Sequence, residues 1–439
     1  MKQGRWSINM RHVFEWNFEL RTESPLRIGD NEGDLLLDAD GKPFLPGTSL
    51  AGACRSYVEE VFGSDVANEL FGKIGDELRP SRLIFSDGVC RTTQSYFFQP
   101  RIALDGKSKT VQSGMFERVT VSSGSVFPVM LVLKTSCEED KEVVEDMLAA
   151  LNEGTIRIGA DKSIGGGKVS IVNGYFVHYD CSKRQELFNY VNEMKKKTVW
   201  SPQKNDGNRG VIRFIIKGQT ASPLLVAGQN TFDSDQADRI YMKINKDGTE
   251  RAIIPASSFK GVLRHRIQRI ANIMQLKEKE TYVTELFGSE SEEHTKRSGN
   301  LLLEDTFVEQ EKSKTYYRIQ INPLTGSVKN GALLDMKTVQ GSFTTLLIYR
   351  LKKGREMTTE DKVALALLLF ALRDLGMQQL TVGSGASIGW GYLDILSIHV
   401  QFADGNVLFN FRDKQIKDES HWLEKLQKAL DHAKESVEV

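Results

Sequence analysis

Two glycine-rich segments of this 439-residue chain have the composition to hold an anion. Residues 158–169 read IGADKSIGGGKV and residues 382–393 read VGSGASIGWGYL. Glycine tolerates positive φ and close backbone approach, so successive N–H groups in such a loop can converge on a phosphate. The candidates are Gly159, Lys162, Gly165, Gly166 and Gly167 in the first segment, and Gly383, Gly385, Gly389 and Gly391 in the second. Neither segment has P-loop spacing. A lone cluster of this kind is more often a tight hairpin. Its recurrence, with Ser163/Ser387 and Ile164/Ile388 retained, favours a shared role. A second pair of segments precedes helices: LPGTSLAG at 45–52 with Arg55 beyond it, and IPASSFKG at 254–261 with Arg264. Small residues there (Thr48, Ser49, Ser257, Ser258) leave the first helical N–H groups open, and the helix dipole favours an anion. Lys260, Arg55 and Arg264 would add cations, with guanidinium suited to phosphate. The plainer reading is a Ser/Thr cap beside a solvated arginine.

These segments must be positioned by something that occurs twice. Ser24-Pro25-Leu26 returns as Ser222-Pro223-Leu224, and Leu70-Phe71-Gly72 returns as Leu286-Phe287-Gly288. The landmarks keep their order with offsets of 198, 209, 216 and 224 residues. A growing offset means two copies of one domain, the second with longer loops. Each copy reads as strand, helix, strand, long insertion, strand, helix, strand. The alternation over 13–20, the helical spacing of Leu50, Cys54, Tyr57, Val58 and Val61, and the strands at 82–86 and 126–134 define copy one. A helix at about 139–152 completes it. Copy two has strands at 211–217, 300–303, 344–351 and 392–400, with helices at 259–274 and 360–375. This is the α+β split βαβ plan, a ferredoxin-like (RRM-like) domain with helices on one face of an antiparallel sheet. A helix ending in Lys195-Lys196-Lys197 leads to a polar, turn-rich stretch at 201–208, which separates domains 1–200 and 201–439. Residues 421–439 predict an amphipathic helix packed on copy two.

Composition sets limits. The chain has 58 basic and 58 acidic residues, so no global basic charge advertises a polyanion partner. Arg79, Arg82, Arg91, Arg101, Lys107, Lys109 and Arg118 nevertheless share one stretch with few acids. Four scattered cysteines without a CxxC pair argue against a disulfide framework and predict reduced, mostly buried thiols. No apolar run reaches the roughly 18 residues of a membrane span, and the start lacks a signal-peptide core. A cytoplasmic location with no membrane partner is expected.

Taken together, LPGTSLAG with Arg55, the Leu-Phe-Gly triplet, the strand SRLIFSD at 81–87 and the glycine loop resemble the RAMP superfamily of CRISPR-associated proteins. The likeness is greatest to backbone subunits of type III effector complexes, here as a tandem fusion. Copy two keeps the turn, the triplet, a looser strand at 300–305 and the loop. The resemblance implies guide crRNA on the open sheet faces, complementary target RNA and other effector subunits as partners. It implies a base-wedging hairpin in each domain, here 91–117 and 308–337, with Met115, Phe116, Leu333, Leu334 and Met336 as apolar tips. It also implies target-RNA cleavage by an aspartate in the loop after the first strand. Asp30 and Asp34 are the candidates in copy one, and Asp233, Asp235 and Asp238 in copy two. Asp34 and Asp238 are favoured by their place before the proline turn, holding a transient Mg²⁺ or other divalent cation at the scissile phosphate. Asp38 and Asp40 read as turn residues. A metal-dependent endoribonuclease is thus expected. The alternatives are a guide-processing endoribonuclease and a structural backbone without cleavage. The seven histidines do not recur between copies, which counts against the processing enzyme.

Overall fold

The structure is a computed structural model. It describes residues 11–29, 34–73, 78–92, 96–104, 111–203, 210–228, 237–246, 249–289, 298–329, 333–351 and 357–435. In the first domain, the odd and even positions of strand His12–Thr22 have different fates. Phe14, Trp16, Phe18 and Leu20 enter the core, whereas Glu15, Asn17 and Glu19 face the other way. Period-two burial of this kind requires one covered sheet face. The cover is helix Gly47–Phe62, contributing Leu50, Cys54 and Val58, and helix Glu139–Glu153, contributing Val144, Met147, Leu148 and Leu151. The sheet runs Leu83–Phe85, Val126–Thr135, His12–Thr22, Val169–Asp180 and Thr198–Val199, every neighbour antiparallel. With four core strands in order 2-3-1-4, this is the ferredoxin-like topology.

The second domain repeats it with Leu301–Leu303, Leu334–Arg350, Val211–Thr220 and Leu393–Phe402, under helices Ala256–Ile273 and Thr359–Gly376. Strands Gly405–Asn410 and Gln415–Asp418 extend the sheet. Even a register shift recurs, at Asn17/Glu19 and at Lys217/Gly218, each where the first strand meets the last. Helix Trp422–Glu435 packs on this domain, with Trp422 stacked on Phe402 at 4.3 Å. The helix expected to end at Lys195-Lys196-Lys197 is Arg184–Val191; Lys195 turns back to donate to the His178 carbonyl, and the chain continues into edge strand Thr198–Val199. Both insertions form hairpins, Tyr96–Leu104 with Val111–Val121 and Glu309–Arg318 with Leu334–Arg350. All four thiols are free. Cys54 and Cys90 are buried and Cys137 and Cys181 half-buried, and burial pushes Cys54 up to about 12.

Candidate nucleic-acid interface

The glycine loops are built by their own Ser-Pro-Leu segments. A Cβ on Gly159 would stand 2.2 Å from the Arg27 carbonyl oxygen, and one on Gly383 2.5 Å from that of Leu225. Positive φ at both (73° and 83°) makes the close approach possible only for glycine. Several of the loop N–H groups are spent internally. Ala160 donates to Arg27, Gly166 to Asp161 and Gly167 to Pro25; Ser384 donates to Leu225, Trp390 to Gly385 and Gly391 to Pro223. Those N–H groups tie the last strand to the turn after the first instead of converging on a phosphate.

The helix N-termini are likewise occupied. Pro46 and Pro255 are the N-caps, and no side chain of Thr48, Ser49, Ser257 or Ser258 caps them. Instead Asp87 accepts from the Gly47 N–H at 2.7 Å, and Asp305 accepts from the Ala256 N–H at 2.8 Å. An internal carboxylate already satisfies the dipole there. Arg55 donates to the buried Gly72 carbonyl at 2.9 Å and to Asn68 Oδ1 at 2.7 Å, locking the Leu-Phe-Gly turn rather than awaiting a phosphate. Arg264 is half-buried on the equivalent helix. Arg55→Ala is expected to cost about 1–3 kcal/mol by orphaning the carbonyl. RNA affinity of the folded variant and its salt dependence should not change, as a melt and a binding titration would show.

The two copies differ in what covers the loop. The first packs against domain two, with Gly165, Gly166 and Gly167 buried. Lys260 Nζ donates to Ser163 Oγ at 2.9 Å, and a Cβ on Gly165 would stand 3.0 Å from Asp305 Oδ1. Beside it Arg157, with 1% of its side chain exposed, donates to the Leu303 carbonyl at 2.8 Å and to Glu304 Oε1 at 3.3 Å. Lys168 Nζ reaches the same carboxylate at 2.8 Å, and Arg213 pairs with Glu153. Lys260, Gly165 and their neighbours thus form an interdomain joint. In copy two Gly383, Ser387, Ile388 and Gly389 are exposed.

Against this uncovered loop lies the stem of the second hairpin. Tyr316 meets Trp390 at 5.1 Å between ring centroids, Arg318 lies 4.4 Å over the Trp390 ring, and Lys314 lies 4.9 Å over Tyr316. Lys312, Lys314 and Tyr317 are exposed. Cations interleaved with aromatic rings suit a single-stranded polyanion whose bases stack. The first-copy stem also reaches its loop, but there Arg118 is paired with Asp161 at 2.9 Å. The open face of sheet one has paired charges, Glu15 with Lys197 and Glu19 with Arg91, and helix Arg184–Val191 lies over its edge.

The hairpin tips are not where residue type alone placed them. Phe116 lies within strand Val111–Val121, paired with Arg101, and Met115 lies beside it; the turn, 105–110, is outside the described residues. Leu334 begins the stem opposite Arg318, Met336 is buried, and Leu333 is exposed. The second tip is instead Leu324, 93% exposed, in a turn set by Asn322, whose Oδ1 accepts from the Leu324 N–H. Ile319, Ile321 and Val328 flank it, all exposed. The missed signal was Asn322-Pro323-Leu324-Thr325-Gly326, a turn sequence around an apolar residue.

Asp34 and Asp238 are both exposed, and Asp238 Oδ2 accepts from the Asp335 N–H at 2.8 Å at the hairpin base. Asp30, Asp233 and Asp235 lie outside the described residues. Asp38 accepts from the N–H groups of Asp40 and Lys42, as a turn residue does. Among the described residues neither Asp34 nor Asp238 belongs to a group of three metal-ligating side chains. Single exposed carboxylates fit Mg²⁺ only as one ligand beside phosphate and water oxygens.

Comparison with known proteins adds the lineage. No curated protein matches the chain. A solved structure described as the cryo-EM structure of the Type III-B Cmr-beta bound to cognate target RNA is 19% identical, with a TM-score of 0.32. The match covers 38% of this chain and 61% of that one, so the chain spans less than two thirds of its length. The family model described as the RAMP superfamily matches twice, over residues 19–170 and 219–394. With both matches centred on the repeated ferredoxin-like domains and together spanning more than half of its length, the chain belongs to the RAMP superfamily.

Proposed function

We propose that this chain is a guide-RNA-binding backbone subunit of a type III CRISPR effector complex that also cuts target RNA. The observation that carries the reading is the junction of the second glycine loop with its hairpin. Lys312, Lys314 and Arg318 flank Tyr316 and Trp390 there, below an exposed apolar tip at Leu324. Phosphates would lie along the cations, and Leu324 would wedge between bases. Guide crRNA, complementary target RNA and other effector subunits are the partners. Among the described residues no helix is long and apolar enough to cross a membrane.

Cleavage would fall to Asp34 and Asp238, each a single carboxylate that recruits Mg²⁺ together with the RNA. The ion would supply charge stabilisation at the scissile phosphate. The test is a target-RNA ladder from the assembled complex with and without divalent cation. Two metal-dependent cuts per chain are expected, with Asp34→Ala removing one and Asp238→Ala the other, each by about 100-fold or more. Guide binding stays intact in both. Cleavage unchanged in the double variant would reject these two residues, and no metal-dependent cleavage by the wild type would leave a backbone subunit alone.

A further inference from the structure

A cluster far from the loops has no role in the account above. His12 at the start of the first strand, His178 near the end of the last strand and Glu138 at the N-cap of helix Glu139–Glu153 converge at one end of sheet one. Their ligand atoms all lie within 4.8 Å of one another, the single group of this kind among the described residues. His12 Nδ1 stands 3.1 Å from His178 Nε2, and His12 Nε2 stands 3.7 Å from Glu138 Oε1. The His178 ring is held by stacking on Phe14, 4.4 Å between centroids at 12°. Two nitrogens on a tetrahedral zinc, each about 2.0–2.1 Å from the ion, stand roughly 3.3–3.4 Å apart. The nitrogen–nitrogen distance is therefore within a few tenths of an ångström of the one a chelate needs, and the rings would turn to aim both nitrogens at the ion. The Glu138 side chain is 71% exposed, so its carboxylate can rotate through solvent to complete a third ligand.

We propose that His12, His178 and Glu138 form a divalent transition-metal site of the zinc class, with water as the fourth ligand. Two imidazoles and a carboxylate are a known zinc donor set, and they select transition metals over Mg²⁺, which prefers oxygen. The neighbouring cations do not compete, since Lys195 pairs with Glu186 and Lys183 with Asp180. Because its ligands come from three elements, the ion would staple the first strand, the last strand and the second helix of domain one. Domain two provides an internal control. By the repeat offsets and the shared N-cap position, its equivalents are Gly210, Thr358 and Phe402, none of which ligates.

The test is calorimetric titration of the full chain with Zn²⁺, and with Co²⁺ followed by its visible absorption. Cys137 and Cys181 are replaced by serine so that thiols near the same sheet end cannot contribute. One equivalent per chain is expected, together with a rise in the melting temperature. His12→Ala or His178→Ala should weaken binding by more than the roughly 10–100-fold that outer-shell changes cost. Glu138→Gln, an exposed change that leaves the core untouched, should weaken it measurably with an unaltered circular dichroism spectrum. The proposal is overturned if no saturable equivalent binds, or if that equivalent survives both histidine substitutions. In either case the imidazoles are a cross-strand hydrogen-bonded pair and no more.

Discussion

Glu304→Leu should be the most damaging single substitution at the joint between the two domains. It leaves the Arg157 guanidinium, 1% exposed, without its carboxylate and places it beside Lys168, which shared that carboxylate. Burial already pulls Arg157 below its ordinary range, with Arg350 adding to the pull, and Glu304 opposes it more than Asp305 does. Removing one partner of a buried pair costs about 3–5 kcal/mol. Because Glu304 is itself partly exposed, the lower end, about 3 kcal/mol, is expected. For domains of this size that is roughly 6–12 °C in melting temperature. The double variant Arg157→Met/Glu304→Leu should recover most of the loss, since apolar replacement of a buried pair is often neutral. Differential scanning calorimetry of the wild type, the single and the double variant gives the answer. A single variant within 1 °C of the wild type would show that the joint is not held by this pair.

That joint also shows what residue patterns could and could not reveal. The repeat, the strand order and both helices of each domain followed from periodicity and from landmarks at growing offsets. Which glycine loop would be covered did not follow, because both loops are written alike and the residues that cover the first, Lys260, Glu304 and Asp305, belong to the other copy. The Asp87 and Asp305 partners of the helix N-termini were visible as the last residues of SRLIFSD and NLLLED. Seeing them as caps requires the strand to be laid beside the helix start, a contact 40 or 49 residues away in sequence. Arg55 misled for a similar reason. A guanidinium two turns into a helix suits a phosphate, but it also reaches the carbonyl of Gly72, turned by its φ of 82°. Trp390 stood in plain view as the aromatic member of the second loop. Its partners, Tyr316 and Arg318, come from the insertion, whose fold local patterns do not determine.

Guide-RNA binding is expected to weaken steeply with salt. If about four to six phosphates are neutralised, log K falls against log[salt] with a slope of roughly −3 to −4 for a single strand. Between 50 and 200 mM salt this is a loss of about 50- to 250-fold. Base sequence should have little influence, because stacking on the exposed Tyr317 and the half-buried Tyr316, which Trp390 backs from the core, accepts any base. The neutral overall charge of the chain does not prevent this, since Lys312, Lys314 and Arg318 are gathered along one hairpin stem. Replacing the tip residue, Leu324→Ser, should weaken binding without altering the slope, because it removes an apolar contact and no charge.

The most direct measurement is an anisotropy titration of a guide-length RNA across a salt series, on the wild type and on Lys312→Ala/Lys314→Ala/Arg318→Ala. These residues lie on the exposed stem, and the triple variant should keep the wild-type melting temperature to within a few degrees. Three lost phosphate contacts should make the slope shallower by about 2 and flatten most of the salt dependence. An unchanged slope in the triple variant, or wild-type binding indifferent to salt, would contradict the assignment of this hairpin and loop as the RNA-binding surface.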